Sequence, residues 1–84
     1  MTIDELITKY IRGAERVFKE IGQLPEDVHL NEEEAKTVFD WAKRYLEDAQ
    51  YYQKEGKLET SLTSVAYCEG LLDALRLLGA VEFS

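Results

Sequence analysis

The sequence predicts an all-α protein built as an up-and-down three-helix bundle, on three observations. Apolar residues recur at three- and four-residue spacing through three long segments and nowhere alternate as they would in a strand. Each segment is bounded by residue types that start or stop helices, and the single proline, Pro25, falls between the first segment and the second. Hydrophobic residues make up 45% and charged residues 32% of the chain, a globular rather than a disordered balance.

The first helix is expected over residues 3–21. Thr2 and Glu5 have capping-box spacing, so each side chain can satisfy a free amide at the helix start. Ile3, Ile7, Tyr10, Ala14, Val17 and Ile21 follow an alternating four-three spacing. Leu6, Ile11 and Phe18 widen this stripe to roughly 140° of the helical wheel. The opposite arc carries Asp4, Lys9, Arg12, Glu15, Arg16, Lys19 and Glu20, and Gly22 is a left-handed stop.

Residues 23–30 form the one long connection, with Leu24, Val28 and Leu30 expected to pin it to the bundle. Asn31 then caps a second helix over 32–54, with Glu34 as its capping-box partner and Glu32 and Glu33 at the positive end of the helix dipole. The inward stripe is Ala35, Val38, Phe39, Ala42, Tyr45, Leu46, Ala49 and Tyr52, with Trp41 at its edge and Tyr51 opposite. Gly56 ends the helix, and the short turn forces an antiparallel hairpin.

The third helix is expected over 58–78, stopped by Gly79. It opens with a narrow stripe of Leu58, Leu62 and Val65. Its second half carries Tyr67, Cys68, Leu71, Leu72, Ala74, Leu75 and Leu78, spread over roughly 160°. A helix touching two neighbours needs such a face, and so does one touching a neighbour and another chain. Val81 and Phe83 are expected to close the end of the bundle.

Eighty-four residues make one domain, 1–84, with a core too thin to enclose a large substrate pocket. A net charge of −7 disfavours nucleic acid and anionic membrane as partners, since both require phosphates to be neutralised. The one basic pair, Lys43–Arg44, is flanked by Asp40, Glu47 and Asp48. Cys68 is the only cysteine, so no internal disulfide forms, which fits a reducing compartment. The acidic start at Asp4 and Glu5 does not read as a signal peptide, and no apolar run is long enough to span a bilayer. A cytoplasmic location is the expectation.

No catalytic, cofactor-binding or metal-ligating motif emerges, and neither an enzymatic activity nor a cofactor is expected. His29 is alone among acidic residues in the long connection, without a second histidine or a positioned partner. Cys68 lies mid-helix beside Glu69, where a thiolate has no cation to stabilise it. Glu32, Glu33 and Glu34 point around their helix rather than to one ion. The candidate polar cluster is Tyr45, Asp48, Glu69, Asp73 and Arg76. Glu69 and Asp73 repel at i, i+4, and Arg76 relieves this by pairing with Asp73 at i+3. Gly70 breaks the same turn, which suggests the close approach of a neighbouring helix or side chain. Tyr10, Tyr45 and Tyr52 are candidate hydroxyl donors to these carboxylates. The cluster reads first as a polar clamp on the third helix and second as a small ligand- or metal-binding enzyme site. Tyr67, Leu71, Ala74 and Leu78, at heptad spacing, are candidates for self-association across a two-fold axis. The expected partner is therefore protein, with a second copy of the chain as the named candidate.

Two resemblances accompany these patterns. The spacing of Ala49, Tyr52, Gly56, Leu58, Ser61 and Val65 is similar to one tetratricopeptide-type hairpin, although one unit is not a stacked array. A fuller match runs from Tyr45 to Gly79. Its pattern is Tyr45, Asp48 and Ala49, then Gly56, then Tyr67, Gly70, Leu72, Asp73 and Ala74, then Leu78 and Gly79. This resembles the archaeal domain-of-unknown-function family 357, small acidic three-helix proteins. The resemblance implies an up-and-down three-helix bundle and brings no activity and no catalytic residues with it.

Overall fold

A computed structural model describes all residues, 1–84, as three helices: α1 at Ile3–Ile21, α2 at Glu32–Lys54 and α3 at Leu58–Leu77. The all-α class and the three helices are as the periodicity predicts, with boundaries within one residue of expectation. The capping residues explain this agreement. The Glu5 amide donates to Thr2 Oγ1 at 3.1 Å and the Glu34 amide donates to Asn31 Oδ1 at 2.8 Å, while the Asn31 amide side chain reaches the Glu34 carboxylate in return. Gly22 at φ 64° and Gly56 at φ 77° take the left-handed backbone that ends α1 and turns α2 into α3.

Close packing is confined to α2 and α3, which form an antiparallel hairpin. The four fully buried residues, Ala42 and Ala49 of α2 with Cys68 and Leu75 of α3, all lie on the facing stripes. Each pair is separated by one heptad, and the two runs meet in register. Ser61 Oγ donates to the Ala49 carbonyl at 2.7 Å, and one heptad further on Ala42 and Cys68 line the same cleft. Small side chains at these positions let the two backbones come close.

α1 packs against neither of the other helices. Its apolar stripe is almost entirely exposed, with Phe18 at 76%. The radius of gyration, 15.3 Å, exceeds the roughly 12 Å typical of a compact chain of this length. Periodicity identifies which face of a helix is apolar, and it does not say what covers that face.

Two smaller expectations are corrected. Leu24 and Val28 do not pin the connection, being 83% and 69% exposed. Only Leu30 reaches the hairpin, where it lines a hollow with Ala35 and Leu78 at the α2 start and α3 end. Nothing approaches Gly70, since a side chain there would meet no neighbouring atom within 4 Å. No helix is long and apolar enough to cross a membrane.

Candidate functional site

The hairpin has two flanks, and the polar cluster read from the sequence divides between them. On one flank the rings of Tyr45 and Tyr67 pack tilted, with centroids 4.4 Å apart and planes at 37°. Together with Trp41, Arg44 and Asp48 they line an open groove of about 300 Å³. The groove thus holds a cation, a carboxylate and three aromatic rings. Tyr45, Trp41 and Asp48 reach it because they follow one another at three- or four-residue steps on the edge of the α2 stripe.

Glu69, Asp73 and Arg76 lie elsewhere. At about 100° per residue they sit roughly 120–180° around α3 from Tyr67, away from the groove. Arg76 Nη2 is 3.6 Å from Asp73 Oδ1, an i, i+3 pair whose side chains are 45% and 56% exposed. The Arg76 guanidinium also rests 5.1 Å from the centre of the Phe83 ring, which holds the tail beside α3. Glu69 has no hydrogen-bond partner, and no tyrosine hydroxyl donates to Glu69 or Asp73. The Asp73–Arg76 pair therefore stays within one helix and joins α3 to neither of the others. No three His, Cys, Asp or Glu side chains converge where they could hold a metal ion. His29 meets Asp27 at 2.8 Å, and both side chains are exposed. Cys68 is buried between α2 and α3, beside Phe39, Leu46 and Leu72.

Of the four residues expected to mediate self-association, Tyr67, Ala74 and Leu78 are exposed and Leu71 is half-buried. They lie on the same flank of the hairpin as the groove. Sequence reasoning missed the pairing of Tyr67 with Tyr45 and the presence of Arg44 beside them. The signal was available, because Tyr45 and Tyr67 stand equally far before and after the Gly56 turn, where an antiparallel hairpin brings them together.

A family model described as "Protein of unknown function (DUF357)" matches residues 9–81, which covers the hairpin and most of α1. No curated protein and no solved structure matches the chain.

Proposed function

The chain belongs to the DUF357 family of proteins of unknown function, and from its geometry we propose that it is a protein–protein interaction module without catalytic activity, working through apolar helix surfaces. The observation that carries this reading is α1. Nine apolar residues share one arc of that helix, and none of them is buried. A lone amphipathic helix gains most of its stability from burying such a face against another surface. The separation of Asp48 from Glu69 and Asp73 supports the non-catalytic part of the reading, since carboxylates on opposite flanks cannot act on one substrate atom. The lone, buried thiol of Cys68 fits a reducing, cytoplasmic setting.

The test is capture on the immobilised chain, comparing wild type with Phe18→Glu. Proteins retained by wild type, including tagged copies of the chain itself, should be lost from the variant. If wild type and variant retain the same set, the α1 face is not an interaction surface and the reading fails. One observation favours a second reading. The groove brings Arg44 and Asp48 together beside Trp41, Tyr45 and Tyr67, an arrangement suited to a small polar ligand with a flat ring. This is the ligand-binding alternative narrowed to the groove, with Tyr45 and Asp48 as its residues.

A further inference from the structure

This chain exposes far more surface than its mass requires. A compact monomer of 9.7 kDa exposes roughly 5,100 Å², whereas this chain exposes 7583 Å². The excess, roughly 2,500 Å² by that scaling, is of the size that one partner contributes to a large obligate homodimer, about 1,000–2,500 Å². The excess is also apolar where it matters, on the α1 stripe and on the hairpin flank formed by Trp41, Tyr67, Leu71, Ala74 and Leu78.

Charge decides how the two surfaces combine. In α1, Asp4, Glu5, Glu15 and Glu20 balance Lys9, Arg12, Arg16 and Lys19, so the whole −7 falls on the rest of the chain. The hairpin carries ten acidic and six basic side chains, so two hairpins facing one another would bring together two surfaces of net charge −4. A neutral α1 laid on an acidic hairpin meets no such repulsion. The dimensions agree as well. At 1.5 Å per residue α1 is about 28 Å long and α3 about 30 Å, so one stripe can lie along the other for its full length. Finally, α1 already stands clear of its own hairpin, beyond a non-helical connection running from Gly22 to Asn31.

We propose that α1 docks on the α2–α3 hairpin of a second copy of the chain, reciprocally, so that two chains form a two-fold dimer with exchanged first helices. Ile7, Ile11 and Phe18 of one chain fill the flank lined by Trp41, Tyr67, Leu71 and Leu78 of the other. The inference rests on the interaction-module reading and names its partner. It replaces a contact of α3 with its own copy by a contact of α3 with the partner's first helix, and the two-fold symmetry requires the same patch on both chains.

Mixed-isotope cross-linking tests it. Light and ¹⁵N-labelled chains are unfolded together, refolded and treated with a lysine cross-linker, while light scattering gives the mass. Lys43 faces the other flank beside Phe39 and Leu46, so the conservative Arg44→Lys change supplies a lysine on the docking flank. A dimer is expected, with cross-links from Lys9 or Lys19 to that position found as light–heavy pairs. Phe18→Glu and, separately, Ile7→Glu should weaken the dimer by roughly a hundredfold or more, the effect of losing a large buried apolar side chain. The cross-links of the Arg44→Lys chain, otherwise wild type, decide the matter even if a glutamate variant unfolds. A dimer whose α1 lysines give no light–heavy links to the hairpin overturns the exchange and leaves the interaction reading standing. A monomer whose α1 amides exchange hydrogen freely does the same. A monomer with same-isotope links from α1 to the hairpin and a protected α1 overturns both, because the apolar face is then covered within one chain.

Discussion

Ser61 Oγ donates a 2.7 Å hydrogen bond to the carbonyl oxygen of Ala49, so the first turns of α3 are tied to the backbone of α2 rather than to a side chain. A backbone acceptor restrains the distance between the helices, because only the Ser61 rotamer, and none on the α2 side, can relax the bond. Ser61→Ala should therefore lower stability by about 0.5–1.5 kcal/mol, the usual contribution of one such bond. Ser61→Leu should cost more, about 1–3 kcal/mol, by forcing apart helices that meet through small residues. Urea titration followed by circular dichroism measures both, and equal effects from the two substitutions would show that the interface is not closely packed there.

Gly70 lies in the middle of α3 with open space around it. Glycine in a helix interior is less favourable than alanine by up to about 1 kcal/mol. Gly70→Ala should stabilise the chain by about 0.5–1 kcal/mol, seen as a higher urea midpoint with an unchanged slope. A destabilised variant would mean that another surface comes close to Gly70 in solution.

Asp73 and Arg76 are half-exposed and paired at 3.6 Å within one helix. Exposed ion pairs contribute little, so Asp73→Ala should change stability by less than about 0.5 kcal/mol. An interhelical clamp would instead cost about 1–3 kcal/mol on losing this carboxylate. The same urea titration separates the two outcomes.

Ligand binding at the groove predicts a thermal signature. A ligand present at a hundred times its dissociation constant stabilises by about 2.7 kcal/mol. A thermal-shift screen with magnesium, manganese, zinc and nucleotides is expected to be flat. A reproducible upward shift that vanishes in Asp48→Asn would favour the ligand-binding reading over the interaction module.

What could be read in advance follows from how local each signal is. Helix limits depend on residues a few positions apart, such as Thr2 with Glu5 and Asn31 with Glu34, and these were legible. The inward alanines of α2 were legible for the same reason, through the spacing of Ala42 and Ala49. Long-range relations were harder. Asp48 and Asp73 fall in one candidate cluster in the sequence, but the side of the hairpin on which each lies depends on how α2 and α3 face one another. The Gly56 turn gives the α2–α3 register to within a residue or so, and the Ser61–Ala49 hydrogen bond fixes it. The exposed α1 stripe marks the same limit, since hydrophobic spacing demands a partner surface without naming it.

Trp41 is the only tryptophan of the chain, and it stands half-exposed on the flank beside Tyr67. Its indole therefore serves as a native optical probe of that flank, with no dye or mutation needed. When another helix covers the flank, water leaves the ring and its emission moves to shorter wavelength. The colour of the fluorescence on serial dilution would then trace a binding isotherm for the unmodified protein, while the far-ultraviolet helical signal reports whether the secondary structure survives.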